Sequence, residues 1–324
     1  MPSSTSSSEA RPARARVLAL VAFAFGLVAL GLGAWLLMPL SPVSTERYLA
    51  AAEDHVEMLR RSKGEKKRIV LLGGSGTAFS ISAESLTQTL DRPVYNGGIQ
   101  AGIGLRNLID LYRPELDPQN DLIVLLPEPE MLAADTLHSQ TWCDVLFLRK
   151  DIGRLAKRPR CVPNVMWRTW QELEHHAKAT QNTDSVYRRS GFNARGDLVA
   201  HLSIESEAPD FSEYKLPTVS AQQLSTVTDH VRASLANDGF ELLYVPAAMP
   251  QKGCDASRSP LAVLASELSA STSGAKERRT IDTAPYCLSD DLFFDGAGHL
   301  NAKGRAIHTA NVAEAIRRHL AARP

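Results

Sequence analysis

Apolar residues along the chain follow two patterns. Residues 17–40 form one uninterrupted apolar run without a charged side chain, whereas further on short β-rich runs alternate with stretches of helical periodicity. The runs "RIVLLGG", "PVYNGG", "DLIVLLP" and "FELLYVPA" predict strands, with a weaker one near "RTID". Helices are predicted over 46–62, 104–112, 165–179, 221–236 and 302–322. Strands alternating with helices predict an α/β domain with a mainly parallel sheet covered on both faces. In such sheets sites form at the carboxyl ends of strands.

The run over 17–40 is long enough, at about 1.5 Å per residue, to span the roughly 30 Å hydrocarbon layer. A cleaved signal peptide is the competing reading, but its apolar region runs to about 7–15 residues and ends in a small-x-small site. This run is longer and leaves through "AWLLMPLSPVS", so an uncleaved anchor is expected. Arg11, Arg14 and Arg16 precede it and only Arg47 follows closely, which places the N-terminus in the cytoplasm. The predicted organisation is a disordered cytoplasmic tail (1–16), a transmembrane anchor (17–40), a membrane-proximal helical linker (41–66) and a domain over 67–324. That domain faces the periplasm or another extracytoplasmic space from the inner membrane. The polar stretch 181–217 reads as an insertion carrying a small hairpin.

Composition narrows the function. The 324 residues are 44% apolar and 22% charged, ordinary for a globular chain. The 36 basic and 36 acidic residues balance, so no electrostatic footprint for nucleic acid is present. Cys143, Cys161, Cys254 and Cys287 permit two disulfides in an oxidising space, in any of three pairings, or four buried thiols. No CxxC occurs, and neither a metal nor a cofactor is expected.

The first predicted strand ends in "GGSGTAFS". A dinucleotide loop needs a third glycine where Phe79 stands, a P-loop needs a lysine that is absent, and the α/β-hydrolase elbow needs glycine where Thr77 stands. A serine at a strand-to-helix turn remains. Such a hydroxyl requires a base to attack at neutral pH. "DDLFFDGAGHLNAKG" supplies His299 with Asp295 four residues before it, so one loop offers an imidazole and a carboxylate to orient it.

The order of serine after the first strand, "NGG" after the second, and "DGAGHLN" before the last helix resembles the SGNH (GDSL-type) hydrolases. "HLNAKG", "GFNARGD" and the anchored N-terminus are similar to the membrane-anchored extracytoplasmic SGNH-like proteins that act with membrane-bound O-acyltransferases on cell-envelope polymers. The resemblance covers about 68–320. It implies a three-layer flavodoxin-like fold and a serine O-acyltransferase or esterase acting on acyl, above all acetyl, esters of cell-envelope or exported glycans. Carried over, Ser75 is the nucleophile, His299 the general base and Asp295 its partner. Gly98 is an oxyanion donor, Asn96 steadies its loop, and Glu128 joins this oxyanion and substrate-binding group. A multipass membrane O-acyltransferase is the implied partner. The alternative is a non-catalytic accessory or glycan-binding partner of such an enzyme.

Two departures stand out. The acid usually lies three residues before the histidine, and here Asp295 lies four before, a spacing that a bulge at Gly296 and Gly298 would absorb, with Asp291 or Asp290 as substitutes. Where the family usually places an asparagine after the third strand, "LLPEPEML" has Glu128 and Glu130, and an ionised carboxylate there would repel an oxyanion. Gln100 and Asn107 are the substitute donors. Trp142, Trp167 and Trp170 are expected to pack in the core or at an interface rather than to stack on sugar.

Overall fold

Two six-residue strands buried at every position form the centre of the fold: β1 (Arg68–Gly73) and β3 (Asp121–Leu126). The computed structural model describes residues 10–37, 45–133, 139–163, 167, 170–171, 186–215, 217–252 and 286–322. β2 (Val94–Asn96) pairs with β1 and β4 (Glu241–Tyr244) with β3, giving a parallel sheet in the order β2-β1-β3-β4. Four of the runs read as strands therefore form this sheet, and the weaker run near 279–282 lies outside the described residues.

Continuous apolarity in these strands reflects cover on both faces. Val70, Leu72, Ile123 and Leu125 enter one core with α2 (Ala51–Arg61), α5 (Leu105–Tyr112), α7 (Gln140–Leu148) and α9 (Ala221–Ser234). Ile69, Leu71, Leu122 and Val124 enter a second core with α4 (Ala83–Leu90) and α10 (Ala302–Ala321). Short helices α3 (Ser75–Ser80), α6 (Pro129–Ala133) and α8 (Ile152–Ala156) were not predicted, because five or six residues are too few to display a helical period. Two small ribbons complete the sheet structure: β5 (Met249–Pro250) with β6 (Cys287–Leu288), and the antiparallel β7 (Phe293–Gly296) with β8 (His299–Leu300).

At the amino end of β1 the wholly buried Arg68 would be costly unpaired. It forms a two-pronged ion pair with Asp121, at 2.8 and 2.6 Å, and donates to Leu59 O, Ser62 Oγ and Glu115 O. The polar start of β1 is thus a buried clasp between the first and third strands.

The predicted helix over 46–62 begins late. Arg47 is extended because it forms an antiparallel bridge with Arg188, and only then do a 3₁₀ turn (Tyr48–Ala50) and α2 follow. The helix predicted over 165–179 falls almost wholly outside the described residues. Of the polar stretch 181–217, residues 186–215 and 217 are described; Leu198 N donates to Ala78 O of α3, and Phe192 and Leu198 form a small bridge. A disulfide joins Cys143 on α7 to Cys161, and Cys287 is disulfide-bonded as well. Among the described residues one helix, α1 (Ala10–Leu37), is long and apolar enough to cross a membrane. Its segment Ala15–Gly33 has a mean hydropathy of 2.3, with none of it buried.

Burial lowers the pKa of His55, His201 and His308 from 6.5 to about 4. The unfolded chain takes up these protons below about pH 6.5, whereas the folded chain refuses them until about pH 4. The contribution of these three histidines to stability should therefore be intact above about pH 6.5 and fall steeply as the pH drops toward 4. Denaturant midpoints across that range are the check, and a flat profile would contradict it.

Candidate active site

The sheet order reverses between β1 and β3, and in open parallel sheets the crevice at such a switch point is where ligands bind. Ser75 follows β1 there, as the first residue of α3, and Glu128 follows β3. The preceding residue, Gly74, has no side chain to cap α3, and the cap comes from across the sheet. Buried Glu128 accepts from Gly76 N at 2.9 Å and also from the backbone of Gly74 and Thr77. A carboxyl oxygen at that position accepts from the orphan N–H groups of the first turn. The glycines around Ser75 make room for it. A Cβ on Gly74 would stand 2.6 Å from Glu128 Oε1 and one on Gly76 3.0 Å from its Cδ.

His299 reaches Ser75 from the β7–β8 hairpin. Its Nε2 is 2.8 Å from Ser75 Oγ, and its Nδ1 is 2.8 Å from Asp295 Oδ1. The four-residue spacing is absorbed where the ladder register shifts. Gly296 pairs with His299, and Gly298 turns the chain at φ +90°, a left-handed conformation suited to glycine. Ser80, on the same short helix as Ser75, donates to Gly298 O and accepts from Leu300 N at 3.1 Å, so it grips both neighbours of His299. Phe79 stacks on the imidazole with centroids 4.0 Å apart. Burial opposes ionisation of Asp295, but hydrogen bonds from His299 and Tyr187 hold its carboxyl below the usual range. Asp291 is engaged elsewhere, by Ser289 and Lys303.

The remaining predicted residues form the support of α3. Asn96 is fully buried; its Nδ2 donates to Thr77 O and Asp197 Oδ1, each at 3.0 Å. Its Oδ1 accepts from Gly98 N at 2.9 Å, so that N–H is engaged within its own loop. Glu130 accepts from Tyr214 OH at 2.8 Å, and Asn107 is buried and donates to Ile103 O. Trp142 is buried under Arg158, while Trp167 and Trp170 are exposed.

A cleft of about 370 Å³ opens at Ser75 and His299, lined also by Arg47, Tyr48, Leu49, Gln100 and Tyr187. Gln100 is the one substitute donor that lines it. Asn96, Gly98 and Glu128 do not. Sequence reasoning missed Tyr187, Tyr48 and Arg47, which no local pattern distinguishes from other residues of a linker or an insertion. It also missed Asp197, although "GFNARGD" was singled out. Among the described residues no three His, Cys, Asp or Glu side chains gather as a metal site.

No family model matches the chain, and no solved structure matches it. An alignment of 186 positions, taking in 52% of the chain, is 25% identical to part of the non-structural polyprotein 1AB of Human astrovirus-4, of which it covers 13%. A likeness of that extent shows no family.

Burial, and then the charge of Glu130, pushes the Glu128 carboxyl from 4.5 up to about 8, against the pull of the Gly76, Thr77 and Gly74 N–H groups. The folded chain therefore holds this proton more tightly than the unfolded one. The resulting stability is full below about pH 4.5 and lost as the pH rises through about 8. Between about pH 6.5 and 8, above the histidine window, thermal stability should fall as pH rises, and Glu128→Gln should flatten that slope. An unchanged slope in the variant would show that Glu128 is not its source.

Proposed function

We propose that this chain is a membrane-anchored, extracytoplasmic, SGNH-like serine O-acyltransferase or esterase acting on acyl esters of cell-envelope or exported glycans. What carries the reading is the unbroken chain from Asp295 through His299 to Ser75, with both contacts at 2.8 Å and the serine at the carboxyl end of β1. Asp295 orients the imidazole so that Nε2 faces the hydroxyl. His299 takes the proton from Ser75 Oγ as that oxygen attacks the ester carbonyl, and returns it to the departing alcohol. The acyl-enzyme is then relieved by water or by a sugar hydroxyl, again deprotonated by His299. Glu128 engages Gly74, Gly76 and Thr77, which leaves the Ser75 N–H, at the first turn of α3, to receive the oxyanion; Gln100 is the nearest side-chain donor.

The apolar segment Ala15–Gly33 supports an anchor with the domain outside the cytoplasm, where a multipass O-acyltransferase would supply the acyl group. A second reading, a non-catalytic accessory of such an enzyme, draws on the commitment of Gly98 N–H to Asn96, which leaves fewer oxyanion donors than the family pattern implies.

A fluorophosphonate probe separates the two. Labelling of the full chain at Ser75 is expected, abolished by Ser75→Ala and slowed about a thousandfold by His299→Ala. A folded wild type that takes up no probe would leave the accessory reading standing. Acyl release from a small ester without glycan would identify a hydrolase, and product formed only with a glycan acceptor a transferase.

A further inference from the structure

The second oxygen of Asp295 faces a residue that the triad itself does not require. Tyr187 OH donates to Asp295 Oδ2 at 2.5 Å and lies 3.2 Å from His299 Nδ1, so the two oxygens of the carboxylate are held separately, Oδ1 by the imidazole and Oδ2 by the phenol. Asp295 needs such a hold. It sits on a two-strand hairpin with an irregular register, and about one-third of its side chain (32%) is exposed. Tyr187 packs at the rim of the cleft, its ring 5.5 Å from Phe79, which in turn stacks on His299.

Tyr187 is itself placed from an unexpected direction. Its neighbour Arg188 bridges to Arg47, Arg189 N donates to Glu46 O at 3.0 Å, and the Arg189 guanidinium grips Asp54 on α2 at 2.6 and 2.5 Å. Tyr48 meets the Tyr187 ring edge-on at 5.8 Å and is fixed by its hydroxyl on Ile99 O. All of these partners apart from Ile99 and Phe79 belong to the stretch 46–54, which joins the apolar helix to the sheet.

We propose that Tyr187 is a positioning residue that holds the Asp295 carboxylate on His299, and that the segment following the apolar helix holds Tyr187 in place. The inference rests on Ser75, His299 and Asp295 acting together. A donor on Oδ2 fixes the rotation of the carboxylate and stabilises its charged form. The test uses the full chain in detergent with Tyr187→Phe, which keeps the ring and removes only the hydroxyl.

Two measurements are made side by side. The carboxyl titration of Asp295, followed by carbon-13 NMR and assigned with Asp295→Asn, should move up by roughly half to one pH unit in Tyr187→Phe. Fluorophosphonate labelling of Ser75 should slow by about tenfold, with its acid limb displaced to higher pH. In an Asp295→Asn background the tyrosine substitution should add less than about a twofold effect, because it acts through that carboxylate. Arg189→Ala should shift the Asp295 titration in the same direction by a smaller amount. An Asp295 midpoint unchanged by Tyr187→Phe overturns the inference, whatever the labelling does. If that midpoint moves while the wild type takes up no probe, the positioning role stands and the enzyme reading falls.

Discussion

The buried carboxylate of Asp197 is the contact on which the geometry of the site depends. It accepts from Ala83 N with both oxygens at 3.0 Å, from Asn96 Nδ2 at 3.0 Å and from Asn193 Nδ2 at 3.2 Å, and it pairs with Arg305 at 3.3 Å. These partners bring together the start of α4, the end of β2, and the last helix. Burial pushes the Asp197 carboxyl up against the opposing pull of Arg305 and these donors. A buried charge costs several kcal/mol unless it is paired and hydrogen-bonded, so such a cluster is stable only when every member is present. Its position is equally constrained by Gly196, at φ +84°, where a Cβ would come within 2.0 Å of Asn96 O. Asn96, held by Asp197, donates to Thr77 O on the helix of Ser75, Arg305 lies on the helix that follows the His299 hairpin, and Ser80 ties α3 to both neighbours of His299.

A second buried carboxyl group works at the start of α3. Glu128 fills the end of α3 with an acceptor where an amide donor was expected, and the glycines of "GGSG" make space for it. The turn is therefore glycine-rich because a side chain from the neighbouring strand lies beneath it, and not because a phosphate is bound there. One consequence is that the N–H groups of Gly74, Gly76 and Thr77 are turned to structure, while Ser75 alone faces the chemistry of the proposed reaction.

Much of this was legible in the sequence. Continuous apolar runs identify strands buried on both faces, so the central sheet could be read directly, as could the amphipathic helices α5, α9 and α10. The apolar stretch near the N-terminus is equally plain. "HLNAKG" is readable after the fact: Asn301 caps α10 by accepting from Gly304 N at 3.0 Å, and a Cβ on Gly304 would stand 2.3 Å from Leu292 O. The candidate residues Ser75, Asp295 and His299 were accessible because two of them share one short loop and the third ends a strand. Glu128 was seen, but its role was not, since an acidic side chain after a strand reads the same whether it faces a cleft or a helix end.

What the sequence determined by itself is whatever depends on neighbours a few residues away: strand and helix periods, the apolar span, the Asp295–His299 pairing within one hairpin. Only the tertiary structure decided that Tyr187 would meet Asp295 across 108 residues, that residues 47–49 would wall the cleft, and that Asp197 would join the loops beneath it. A polar residue in an irregular stretch carries no periodic signal. Its partners are chosen by which surfaces the packed sheet and helices bring within hydrogen-bonding distance, and that information exists only once the chain has folded.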